Sequence, residues 1–193
     1  MACRVPGDRV KRIGTPLAEC VVFEPEVFRD GHGYRFECWN AELQRELGLA
    51  EGFVQSGVSR QQKGVLRGLH YQWPDPQGVL VGALDGEVYA VAVDIRLGSP
   101  GFGRWASATL NSDNSRLLWI PEGFAHGFVV LSETALLSHM STAADRPAQA
   151  ACVRWDDADI GIAWPLPAPS LSATDSQAPR LAELAPDCLP VYA

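Results

Sequence analysis

Between residues 53 and 155 short apolar runs alternate with turn residues. Runs rich in Val, Leu and aromatic residues read as strands, and clusters of Gly, Pro, Asn and Asp read as turns. The pattern predicts strands over Val65–Tyr71, Val79–Leu84, Glu87–Arg96, Trp105–Leu110, Arg116–Ile120, Gly127–Leu131, Ala135–Ser141 and Ala151–Trp155. The turns between them fall at Pro74–Gly78, Asp85–Gly86, Gly98–Gly103, Asn111–Asn114 and Pro121–Gly123. The run EVYAVAVDIR (Glu87–Arg96) alternates apolar with small or polar residues, which predicts a half-buried strand. Ala18–Glu24 reads as a further strand. The helical period is clearest over Asn40–Leu49, where Asn40 suits an N-cap and Leu43, Leu47 and Leu49 approximate one face. The first ~17 residues are basic and irregular and are expected to form a mobile arm. From Pro165 onward the chain is rich in Pro, Ala and Ser and is expected to wrap the strands. Neither an internal repeat nor an interdomain linker stands out. Many short strands with one helix predict a mainly β sandwich or jelly roll, as one domain over residues 1–193.

Composition narrows the partners. The 193 residues are 47% hydrophobic and 20% charged, with a net charge of −7. That charge disfavours non-specific binding to nucleic acid or to an acidic membrane surface. An anionic ligand would need a local basic pocket. No apolar run approaches the ~18 residues of a membrane span, and the N-terminus lacks the apolar core of a secretory signal. The five cysteines (Cys3, Cys20, Cys38, Cys152 and Cys188) are odd in number and widely spaced. They suit free thiols in a reducing cytoplasm better than a disulfide frame or a zinc site.

Two segments carry candidate chemistry. GVLRGLHYQ (Gly64–Gln72) places His70 at the end of a strand-like run, three residues after Arg67. IPEGFAHGF (Ile120–Phe128) places His126 behind a Pro-x-Gly turn. Two histidines at the ends of two strands, one beside an arginine, suggest a barrel wall that pairs proton transfer with anion binding. His126 reads equally well as a wall group or as a satisfied turn histidine.

These segments resemble known motifs. Gly64, five residues and His70 resemble the start of the first cupin motif, and Pro121-x-Gly123-x-x-His126 resembles part of the second. The resemblance implies a cupin jelly-roll (double-stranded β-helix) barrel with a few short helices. Metal-binding cupins carry His-x-His and a following Glu in the first motif. Here Gln72 stands at the second His and no Glu follows before Glu87, so no resident metal is expected.

A closer resemblance is to the dTDP-4-dehydrorhamnose 3,5-epimerase family. It is carried in order by FVQ (Phe53–Gln55), GVLRGLHYQ, GEVYAVAVDIR, SPGFG (Ser99–Gly103), LWIPEGFAHGF, WDD (Trp155–Asp157) and LSATD ending at Asp175. The resemblance spans about Val21 to Pro179. It implies a cytoplasmic homodimer that inverts C3, C5 or both of a dTDP-4-keto-6-deoxyhexose without a cofactor, in deoxysugar biosynthesis. It assigns His70 as the base and Asp175 as the group that orients it. An ordinary histidine, with a pKa of about 6.5, is matched to base work near neutral pH. Arg67 and Gln55 match positions that hold the diphosphate and sugar. Tyr34 and Glu37 match a segment that clamps the nucleotide, often from the partner subunit.

The chain departs from the family pattern at two catalytic positions. Val79 stands where the family has a Lys that stabilises the enolate oxygen. Losing one such donor typically costs about 10²–10³ in rate. Arg67 and His126 are the nearest candidates by motif to replace it. His139 stands where the family has its Tyr. A histidine there offers an acid to return the proton, and a charge that offsets the missing Lys. Smaller departures are His32 for an Arg, Gly57 for the Asn after FVQ, and Thr174 for the Lys before Asp175. Together they suggest a specialised substrate and an epimerase acting at one carbon. The alternatives are a related barrel enzyme (ketoisomerase, lyase or cyclase) and a non-catalytic sugar-nucleotide-binding protein. Asp156 and Asp157 read as turn formers, and His32 as a loop residue.

Overall fold

The computed structural model describes residues 10–49 and 52–192. Cys3 and the first nine residues of the expected arm lie outside them. The strands are β1 (Val10–Gly14), β2 (Val21–Pro25), β3 (Phe28–Asp30), β4 (Gly33–Arg35), β5 (Gln55–Gln62), β6 (Leu66–Gln72) and β7 (Val79–Asp85). They continue with β8 (Glu87–Asp94), β9 (Trp105–Asn111), β10 (Leu117–Ile120), β11 (Phe124–Val130), β12 (Thr134–Ser141) and β13 (Ala150–Cys152). The α-helices are α1 (Ala41–Glu46) and α2 (Ala173–Ser176).

The strands build a six-stranded sheet in the order β1-β2-β10-β7-β12-β5 and a five-stranded sheet in the order β13-β6-β11-β8-β9. Strands β3 and β4 form a separate hairpin. From β5 to β13 the chain passes repeatedly from one large sheet to the other, which is the jelly-roll arrangement of the cupin barrel. Among the described residues no helix is long and apolar enough to cross a membrane.

Three apolar layers hold the sheets. The inner layer joins their facing sides through Val22, Val81, Val88, Ala90, Leu118 and Leu137. A second layer covers the outer face of the five-stranded sheet, where Val91, Val93 and Ile95 meet Ile160, Leu181 and Leu189. A third covers the outer face of the six-stranded sheet, where Phe23, Leu80, Leu117 and Trp119 meet Leu43 of α1. The C-terminal segment packs over the outer face of the five-stranded sheet. Its path is fixed by polar bonds as well as by burial: Asp157 accepts from the Leu181 amide at 2.8 Å, and Tyr71 donates to the Cys188 carbonyl at 3.0 Å.

Three expectations need correction. The arm does not extend through residue 17, because Val10–Gly14 pairs with Val21–Pro25 along its whole length. Strand β8 is not half-buried: from Ala90 to Asp94 every residue is buried, because the C-terminal wrap covers its outer face. Asp157 is more than a turn former, since the residue is 2% exposed and its carboxylate accepts from the Leu181 amide.

The pairing of β6 with β11 matters most for the site. His126 faces His70, but Phe128 faces Arg67, so two steps on β11 match three on β6. The extra residue is a bulge, and Gly68 within it has a φ of 127°. In a regular strand, residues three apart point to opposite faces. The bulge reverses that parity, and Arg67 and His70 line the same cavity. The two backbones touch here. A Cβ on Gly127 would lie 2.6 Å from the Arg67 carbonyl oxygen and 3.1 Å from the Gly68 Cα. Neither atom can yield without moving a strand. We expect Gly127→Ala to destabilise the fold by about 2–3 kcal/mol in urea unfolding. A loss below about 0.5 kcal/mol would contradict so close an approach.

Candidate active site

A cavity of about 580 Å³ opens between the two sheets. His70 and Cys152 on the five-stranded sheet are register partners, as are His70 and His126. Facing them, β5, β7 and β12 present their odd-numbered residues: Ser59, Val79, Val81, Leu137, His139 and Ser141. All three cavity histidines thus come from strands, two from one sheet and one from the other.

His70 is held by Asp175. Its Nε2 lies 2.5 Å from Asp175 Oδ1. The carboxylate is buried, while the His70 side chain is 44% exposed. The second oxygen, Oδ2, accepts from the Ser172 hydroxyl at 2.7 Å, and that hydroxyl in turn accepts from the Asp175 amide at 3.1 Å, capping α2. Both carboxylate oxygens are therefore satisfied, which a buried charge requires. The segment leading to α2 is stitched to the start of β6: the Leu66 amide donates to Ser170 at 2.9 Å, and the Ser170 amide donates to Gly64 at 2.8 Å. The chain that carries His70 thus anchors the chain that carries Asp175. With the Nε2 proton directed at the carboxylate, Nδ1 is left as the basic nitrogen.

His126 contributes differently. It lines the cavity but is packed closely by protein, and burial pushes its pKa down to about 4, helped by His70 and His139. It is neutral near pH 7 and lines the cavity wall. Arg67 is exposed at the cavity and makes no ion pair or hydrogen bond among the described residues, so its guanidinium is free for an anion. Val79 also lines the cavity and offers neither charge nor hydrogen bond.

Three expected residues lie off the cavity wall. Gln55 acts through Asp145: its amide nitrogen donates to Oδ2 at 2.8 Å, and its oxygen accepts from the Asp145 amide at 2.8 Å. Tyr34 and Glu37 lie in and just after the exposed β3–β4 hairpin. Tyr34 stacks with Phe36, and Glu37 accepts from Asn40 at 2.9 Å. His32 lies in the hairpin turn, its backbone amide bonded to Asp30.

Sequence reasoning missed the loop from Ala143 to Pro147 at the cavity mouth, which brings Asp145 and Arg146 to the wall. Three glutamines order it. Gln55 holds Asp145, Gln77 donates to Asp145 Oδ1 and to the Ala143 carbonyl, both at 2.9 Å, and Gln72 accepts from the Arg146 amide at 2.7 Å. Gln72 at the second cupin His position was the available signal, since it exchanges a metal ligand for a loop anchor. Among the described residues no group of three His, Cys, Asp or Glu is placed to hold a metal. A second cavity, about 620 Å³, includes Arg12, Glu19, Glu122 and Trp119 in its wall but no histidine.

Known proteins share this architecture. A family model described as dTDP-4-dehydrorhamnose 3,5-epimerase matches residues 14–183. The dTDP-4-dehydrorhamnose 3,5-epimerase of Pseudomonas aeruginosa is 47% identical over 176 residues, 90% of this chain and 96% of that protein. The crystal structure of dTDP-6-deoxy-D-glucose-3,5-epimerase from Legionella pneumophila, in complex with dTDP-4-keto-L-rhamnose, superposes with a TM-score of 0.93 at 43% identity. It covers 95% of this chain and 99% of that one. ChmJ, a 3'-monoepimerase from Streptomyces bikiniensis in complex with dTDP-quinovose, superposes with a TM-score of 0.86 at 30% identity, covering 93% and 92%. Sequence and fold agree over nearly the whole length, and this chain belongs to the dTDP-4-dehydrorhamnose 3,5-epimerase family of isomerases.

Proposed function

We propose that this chain inverts one or both carbons flanking the ketone of a dTDP-4-keto-6-deoxyhexose, by removing a proton and returning it from the opposite face. The observation that carries this reading is the His70–Asp175 pair at 2.5 Å, opening on a cavity that His139 lines from the opposite sheet. A sugar ring lying between the sheets would present one face to each. His70 Nδ1 takes the proton beside the ketone, and the Asp175 carboxylate stabilises the imidazolium that forms. The electron pair moves into an enolate. His139 returns a proton to the other face, and the configuration inverts.

Positive charge supports both ends of the substrate. Arg67 suits the diphosphate, and its guanidinium has no partner among the described residues. Val79 leaves the enolate oxygen without a lysine, so His139, which returns the proton, is also the group placed to stabilise that oxygen. That double demand favours reaction at a single carbon. Tyr34 and Glu37 do not reach this chain's cavity, which supports a homodimer whose hairpins clamp the partner's nucleotide. Sedimentation at the mass of one chain would remove that part of the reading. The widely spaced cysteines suit a cytoplasmic setting, which fractionation of the producing cells would overturn by finding the chain elsewhere.

The direct test is solvent-isotope uptake. In heavy water, dTDP-4-keto-6-deoxyglucose should gain one deuterium, at C3 or C5, and His70→Asn should abolish the uptake. Two deuteriums would mean that both carbons react despite Val79. No uptake by a protein that binds dTDP would overturn the reading for this substrate. A second test follows from His126. Its folded pKa of about 4 lies below the ordinary 6.5. Between those values the unfolded chain takes up a proton that the folded chain refuses, so stability is lost as pH falls through that window. The loss from this group is about 2 kcal/mol. His126→Gln should flatten the fall in urea midpoint between about pH 7 and pH 4.5, whereas an unchanged slope would contradict the burial argument.

A further inference from the structure

Gly57 lies inside β5, where a glycine weakens a strand and needs a reason. Its φ is outside the left-handed region, so the backbone would accept any residue. Space gives the reason. Gly57 is the register partner of His139, and a Cβ built on it would lie 2.6 Å from the His139 Nε2 and 2.7 Å from its Cε1. The imidazole edge therefore rests on the bare backbone of β5. On its other side His139 is paired with Val81 of β7. Among the described residues no hydrogen bond or ion pair holds the His139 ring. Its place in the cavity wall is set by shape, and among the described residues neither ring nitrogen has a hydrogen-bond partner.

We infer that Gly57 is a positioning residue. Its missing side chain creates the slot in which the His139 ring stands, and so sets how that ring meets a substrate lying against the opposite sheet. The inference deepens the epimerase reading and rests on it for its catalytic consequence. β5 and β12 are locked together over eight paired residues, from Gln55–Ser141 to Gln62–Thr134. A methyl group at position 57 would therefore turn the ring, because the ring rotates about side-chain bonds and the paired strands do not. Displacing a reacting group by about 1 Å can cost up to about a hundredfold in rate. The diphosphate contact at Arg67 comes from the other sheet and would be unaffected.

The test is Gly57→Ala, made in the wild-type chain and in a His139→Ala background. With dTDP-4-keto-6-deoxyglucose, Gly57→Ala should lower kcat by about ten- to a hundredfold, with dTDP affinity within about twofold. In the His139→Ala background it should cost less than about twofold, because the ring it would strike is gone. Equal losses in both backgrounds, or no loss in the wild type, would overturn the inference. Histidine-labelled NMR gives a readout that needs no turnover and stands even if the epimerase reading fails. The His139 ring resonance should move in Gly57→Ala while that of His32, in the remote hairpin, stays fixed. An unmoved His139 resonance would overturn the slot. If Gly57→Ala does not fold, the double variant decides: recovery of the fold supports the clash, and persistent misfolding would assign Gly57 to the strand itself.

Discussion

The site depends on the contact between β6 and β11 at Gly68 and Gly127. Without the extra residue in β6, Arg67 and His70 would face opposite sides of the sheet, one in the cavity and one outside it. With the bulge, Arg67 and His70 share one wall. The contact is backbone against backbone, and each glycine makes room for the other strand. The same register sets His126 directly beside His70. One local irregularity thus places three of the cavity's polar groups.

Electrostatics then separates their roles. Asp175 is buried with both oxygens satisfied, so its charge acts on His70 with little competition from water. His126, a strand away, is kept neutral by burial and by the two other histidines. His126 therefore adds no charge to a wall that holds Arg67 and Arg146, the latter paired with Asp75. The opposite wall is mixed, with Val79, Val81 and Leu137 beside His139, Ser59, Gln61 and Ser141.

Much of this was legible in the chain. The strands β7, β8, β9, β10 and β12 follow from runs such as VLVGALD and LLWI, whose side chains must be buried. The Asn40 cap of α1 follows from side-chain chemistry, and Asn40 accepts from the amides of Glu42 and Leu43. Strand β5, QSGVSRQQ, was not legible, because it is a polar edge strand that pairs only with β12. The β3–β4 hairpin was missed because its residues are exposed and lack alternation. The pairing of His70 with Asp175, across 105 positions, was available only through resemblance, since no local pattern encodes so distant a contact. The loop carrying Asp145 and Arg146 was hidden for a similar reason: its order comes from glutamines far along the chain.

The central claim is that His70 and Asp175 act as one proton-abstracting unit. It is tested most directly by comparing exchange rates at the carbon beside the ketone for His70→Asn, Asp175→Asn and the double variant. Groups that act as a unit are not additive. The account predicts that the double variant is no slower than His70→Asn alone. Losses that multiply in the double variant would mean that Asp175 serves the fold or the substrate independently of His70, and would contradict the account.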